Sequence, residues 1–467
     1  MNNDELSSRA TTFLATLLII ASSALLGAQE KAETEGKKDG GKLNSGALSA
    51  IKLRSVGPAL MSGRIADVAI DPEKPNTWYV GAGSGGVWKT ENAGTTWKPV
   101  FDNYGSYSIG CVTVDPSNRN IVWVGTGENV GGRHVGYGDG IYRSVDGGNS
   151  FRNMGLKASE HISKILVHPH QSDLIYVAVQ GPLWSPGGER GLYMSDDGGR
   201  TWKLILASGK YTGVTDVVFD PKNPSVLYAA THQRHRTVWA VINGGPETGI
   251  HKSVDGGKTW RELKGGLPGG DKGKIGLAVS PQDSRVVYAT IELPGRTGGF
   301  WKSADGGESW AKMSDYVSGG TGPHYYQEIY VDPHRFDVIY QANVSLGRSE
   351  DGGKTWNSVE SRWKHVDNHA VAFHPTDPDF LLVGCDGGLY RSFDRGRTYD
   401  YFANLPLTQF YKVDVDYDWP FYHIVGGTQD NNTQYGPSRT RSSSGILNSD
   451  WRPIIGGDGH DCAIDPK

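Results

Sequence analysis

An all-β fold, a β-propeller of four-stranded blades, is predicted by three observations. A turn motif recurs at a near-constant period, strand-like alternation flanks every copy, and helical periodicity is confined to the N-terminal segment. The motif reads Ser-x-Asp-Gly-Gly-x-Thr-Trp. Its clearest copies are Ser144–Phe151, Ser195–Trp202, Ser253–Trp260, Ser303–Trp310 and Ser349–Trp356. Thr90–Trp97 carries Asn92 where the acid belongs, and Ser392–Tyr399 carries Arg395 in place of the first Gly. The acids at 146, 197, 255, 305, 351 and 394 lie 43 to 58 residues apart, room for one four-stranded unit per copy.

Each copy reads as a β-hairpin. In Gly299–Trp310 one strand enters the turn and another leaves it. The Asp accepts hydrogen bonds from nearby backbone N–H groups, the glycines supply positive φ, and the closing aromatic fills the gap between neighbouring sheets. Upstream of each copy lies an Asp-Pro-like turn between two more strands, as in Val68–Pro72 before Thr77–Val80 and Val217–Pro221 before Val226–Ala229. Two hairpins make one blade. An element present in every blade serves every blade, so the motif acid is structural, and function is expected where the repeats differ.

Units start near Gly63, Ser108, His161, Gly213, Gly273, Tyr325 and Asp367, predicting a seven-bladed ring over residues 51–404. An eighth unit, Phe410–Arg452, lacks the motif. A ninth begins at Gly456–Pro466, which aligns without a gap onto Ser62–Pro72. Residues 405–467 are therefore expected to open a second propeller, cut short. A single eight-bladed or ten-bladed ring is the alternative.

Composition fits this class: 65 Gly, 23 Pro, 14 Trp and 22 Tyr among 467 residues. A net charge of −4 gives no global basic field, so no nucleic-acid partner is expected. Residues 1–28 resemble a secretory signal peptide cleaved after Ala28, and 29–50 a disordered polar linker. A secreted or periplasmic location follows, with no membrane span after cleavage. Cys111, Cys385 and Cys462 are too scattered for a disulfide framework.

The loops between second and third strands vary, and they belong at the end of the blade opposite the motif turns. They offer Glu128, Arg133, Trp184, Arg190, Arg234, Arg236, Trp239 and Asp430. Entry positions of the inner strands add Arg64, His161, Tyr325, Asp367 and Asp458, with Tyr326 beside them and His369 and His460 two residues on. The tryptophans and tyrosines suit stacking on sugar rings, and the arginines suit carboxylates or phosphates. Asp367, Asp430, Asp458 and Glu128 are the candidate catalytic acids, and the Asp-x-His pairs are expected chiefly as hydrogen-bonded pairs. No third ligand at a diagnostic spacing accompanies them, so no metal and no cofactor is expected.

The repeat is similar to the Asp box (BNR repeat) of sialidase-like and sortilin-like propellers. From about residue 52 onward the chain resembles secreted bacterial Asp-box proteins of the glycosyl-hydrolase and sortilin-like group. Gly181–Trp184, Gln233–Trp239, Val366–Ala370, Gly427–Asn431 and Gly456–Gly459 carry the resemblance. It is distantly similar to family-74 xyloglucanases, whose two propellers clasp a glucan and supply one Asp each to an inverting hydrolysis. That resemblance implies a polysaccharide ligand. It also puts Gly83 where the first-propeller Asp belongs, so catalysis would need other acids. The alternative implied by the sortilin-like resemblance is a non-catalytic ring that binds a peptide or protein.

Overall fold

The structure, a computed structural model, describes residues 51, 56–57, 63–129, 135–317, 327–359 and 362–465. The expected signal peptide and linker lie outside these residues. Eight antiparallel sheets follow one another along the chain, seven of four strands and one, the fourth, of five. The first seven begin with inner strands Ile65–Ile70, Ile109–Val114, Ile162–His168, Thr212–Asp220, Ile275–Val279, Glu328–Val331 and Asn368–Phe373. Each blade packs on the next, and the seventh packs on the first. One apolar cluster holds Ile65, Trp78 and Val80 together with Ala370, Phe380 and Leu382, so the ring closes at seven. The eight- and ten-bladed alternatives are not the arrangement found.

Middle strands have a neighbouring blade on both faces, which is why Trp78–Ala82, Val122–Thr126 and Leu381–Cys385 are buried at every position. Burying each large side chain of this kind contributes about 1.5–3 kcal/mol. The inner strand of the first blade alternates less cleanly because a bulge between Ile65 and Asp67 turns its entry toward the channel. Similar irregularities interrupt the entries of the second and seventh blades.

The Asp boxes fasten one blade to the next. Within a box, Ser253 Oγ donates to Asp255 Oδ1 and accepts Gly257 N–H, while Asp255 accepts from both the backbone and the hydroxyl of Thr259. The box then meets its neighbour: Tyr79, Tyr176 and Tyr228 each donate from their hydroxyls to a box carbonyl of the following blade, at Gly147, Gly256 and Gly306. Gly147 and Gly256 N–H in turn bond Asn120 and Ser225 carbonyls at the Asp-Pro-like turns of their own blades. Both kinds of turn therefore sit at one end, and the opposite end is left to the variable loops.

The eighth sheet, Phe410–Val415, His423–Thr428, Thr433–Pro437 and Arg452–Ile455, stands outside the ring. Where an Asp box would close it, residues 438–451 run through a short 3₁₀ turn, and Trp451, 3% exposed, packs on Phe410. The chain that follows lies beside it: Asp414 accepts Ile464 N–H at 2.9 Å and Lys412 pairs with Asp461 at 2.7 Å. Cys111 and Cys385 are buried free thiols, whereas Cys462 is only half-buried.

Candidate functional site

At the loop end, Arg64 joins three blades. It enters the first inner strand, and its Nε and Nη2 donate to Asp386 at 2.7 and 3.1 Å while Nη1 donates to Glu128 at 3.1 Å. Asp386 directly follows the second strand of blade seven, and Glu128 follows the second strand of blade two. His369 Nε2 lies 2.6 Å from Asp386 Oδ1. From the eighth sheet, Gln429 Nε2 donates to Asp386 at 3.5 Å and Asn431 Nδ2 to its carbonyl at 3.0 Å. Between them Asp430 takes a left-handed conformation (φ 56°) and donates its N–H to Asp458 at 3.0 Å. Carboxylate oxygens of Asp367, Asp386 and Asp430 lie within 4.8 Å of one another.

Their proton affinities diverge. Burial works to raise the Asp386 carboxyl, but Arg64 and His369 outweigh it and hold the acid well below the usual range. His369 itself is driven down by burial and by Arg64, so it is the neutral imidazole donating Nε2–H to the anion. Asp430 is pushed up to about 7 by burial and by the neighbouring Asp386, Asp458 and Asp367. Burial raises Glu128 to about 7 despite Arg64. A carboxylate held ionised by Arg64 and two acids whose proton affinity is raised toward neutrality thus share one mouth, the division of labour that acid–base chemistry requires.

Two loops rich in arginine and tryptophan come from blades three and four. The second strand of blade four runs on as Asn223–Arg236 and pairs beyond the sheet with Val241–Asn243, carrying Trp239 outward to 86% exposure. Arg236 lies over the ring of half-exposed Trp184 at 5.4 Å. Arg190 and Arg234 are buried instead, and Arg190 donates to the carbonyls of Gln180, Ser185 and Gly187, holding its own loop. His161 is fully buried and bonds the Glu128 carbonyl through Nδ1 at 2.8 Å.

The histidines of the two Asp-x-His pairs have further neighbours. His369 Nε2 is partnered by Asp386, and Asp367 precedes the strand in a left-handed conformation (φ 60°). Asp458 instead holds the Asp430 amide, and His460 lies against Tyr411 with centroids 4.8 Å apart. Arg133, Tyr325 and Tyr326 lie outside the described residues. Among the described residues, two groups of ligand-type side chains do come together, Asp367 with Asp386 and Asp430, and Asp416 with Asp418 and His423. In the first, Asp386 is already paired with Arg64.

Asp386 is the residue the sequence reading passed over. Gly384-Cys385-Asp386 stands in blade seven where Gly81-Ala82-Gly83 stands in blade one, so comparison of strand ends across repeats carries the signal. At Gly83 a Cβ would lie 2.6 Å from Glu128 Oε1 and 3.2 Å from Arg64 Cδ. The space a side chain would take there is thus filled by Glu128 of blade two and by Arg64 of the same blade.

Residues 85–239 and 139–268 match the Sortilin-Vps10 family model, described as sortilin, neurotensin receptor 3. The chain is distantly similar to xyloglucanases. It is 28% identical to that of Acetivibrio thermocellus over 221 residues, 42% of this chain and 25% of the relative. It is 25% identical to that of a Paenibacillus species over 337 residues, 64% of this chain and 31% of the relative. The chain therefore spans well under half of these relatives' length. Among solved structures, the GH74 xyloglucanase from Xanthomonas campestris superposes with a TM-score of 0.61 at 18% identity, covering 81% of this chain and 60% of that one. That likeness is one of fold.

Proposed function

We propose that this ring binds a polysaccharide across the mouth formed by blades seven, one and two, and that the mouth acids serve glycoside hydrolysis in the exported protein. The observation that carries the reading is the set Asp386, Arg64, Glu128 and Asp430, one anion beside two protonated acids. Hydrolysis of a glycosidic bond needs a group that gives a proton to the leaving oxygen and a carboxylate on the other side. Asp430 would fill the first role, its proton held by Asp386 beside it. Trp184 and Trp239 would stack on sugar rings, and residues 405–467 would open a second ring that completes the cleft. The similarity to xyloglucanases supports a glucan as the first ligand to test.

Titration of xyloglucan oligosaccharides by calorimetry tests it. Wild type is expected to bind, and Trp184→Ala to bind more weakly by about 1–3 kcal/mol, the value of one stacking ring. Asp430→Asn should keep affinity and lose any bond cleavage. Binding of an unstructured peptide library with no affinity for glycans would instead favour a peptide-binding ring.

A further inference from the structure

The mouth is electrostatically two-sided. Opposite the acids, blades three and four bring in His161, Arg190, His232 and Arg234, each no more than 5% exposed. Arg190 spends its guanidinium on backbone carbonyls, which orient the group without cancelling its charge. Burial and Arg190 bring Arg234 down to about 9, and the acid acting on both is half-buried Glu160. This side of the mouth therefore carries two buried guanidiniums.

The histidines are contiguous with it. His161 carbonyl accepts Gln180 N–H at 2.9 Å, Gly213 of the next blade lies where a Cβ would be 2.4 Å from the Gln180 carbonyl, and Gly213 pairs with His232 across the strand. Neither ring nitrogen of His232, nor Nε2 of His161, has a hydrogen-bond partner among the described residues, although both rings are buried. Buried polar nitrogens are ordinarily satisfied. His161 donates Nδ1–H to a carbonyl, so its Nε2 is an acceptor, whereas neutral His232 offers one N–H and one acceptor. A cation, an N–H donor and a nitrogen acceptor together suit a carboxylate next to a hydroxyl.

We infer that Arg234, His232 and His161 receive a uronate unit, so that the glycan of this mouth is an acidic one; this rests on the glycan reading above. The carboxylate would meet Arg234 and the His232 N–H, and the adjacent hydroxyl would donate to His161 Nε2. A peptide carboxylate would leave the acceptor unused.

The test compares tetragalacturonate, its carboxyl-reduced neutral counterpart and xyloglucan oligosaccharides by calorimetry. The acidic tetramer should bind at least tenfold more tightly than the neutral one. Arg234→Met and His232→Gln should each abolish that preference, and Arg234→Lys should restore part of it. Thermal melts identify any variant that fails to fold, and His232→Gln carries the test if Arg234→Met does. Equal or tighter binding of the neutral oligosaccharides overturns the inference and leaves the glycan reading standing. An acidic peptide that binds through Arg234 while no oligosaccharide does overturns both.

Discussion

At the scale of single residues, Asp430 and Asp386 show how position sets chemistry. They are the same side chain, yet Arg64 keeps one ionised while burial and like charge raise the other to about 7. A carboxyl whose folded pKa lies above its unfolded value of 3.8 keeps a proton that the unfolded chain has released. Stability from this group is full below pH 4 and lost as pH rises toward 7. Asp430→Asn should remove that loss, shrinking the fall in Tm between pH 4 and pH 7 by roughly 2–4 °C. Glu128 titrates in the same window, so some slope should persist. Asp430 and Glu128 were legible as acids in variable loops. Asp386 was not, because its Asp-Gly-Gly setting looks like one more turn until strand ends are compared blade by blade.

At the scale of elements, the link between blades is a tyrosine hydroxyl on a box carbonyl. Tyr228 is 1% exposed and donates to Gly306 at 2.8 Å. Tyr228→Phe keeps the packing and deletes the bond, so denaturant unfolding should show a loss of about 0.5–1.5 kcal/mol with ligand binding unchanged. A box acid tests the same point from the other partner: Asp305 sits well below the usual carboxylate range, at about 2, through Ser309 and Ser303. These hairpins were legible down to their hydrogen bonds, since Ser, Asp and two glycines leave little freedom. The link to the next blade was not, because nothing local marks which distant carbonyl a tyrosine meets. Blade two varies the theme with Trp123, which packs under the turn glycine Gly199 and beneath Arg143.

At the scale of the molecule, closure of the ring at blade seven followed from counting repeats, but the means of closure did not. Where most other joints use a tyrosine, blade seven offers Leu382, and blade one has Asn92 in its box. Asn404 bonds the Gly94 and Thr95 carbonyls, and Arg64 spans to Asp386. Arg64→Met would strand two buried acids, costing about 3–5 kcal/mol when both are charged. Without the guanidinium the Asp386 pKa rises above its unfolded value, so the penalty should be small near pH 4 and grow as pH rises. Urea unfolding at pH 5 and pH 8 reads the difference; an equal loss at both would show that Arg64 acts by packing alone.

The guanidinium that clasps the last blade to the first is also the group that faces the ligand mouth. Opening the circle and emptying the mouth are then coupled events. A guest that adds bonds to Asp386 beside Arg64 makes the bracelet harder to unfasten, and hydrogen exchange in Ile65–Ile70 and Asn368–Phe373 should slow when it is bound. A guest that draws Arg64 away from Asp386 should speed it, so exchange at these two strands reads which side of the clasp the guest takes.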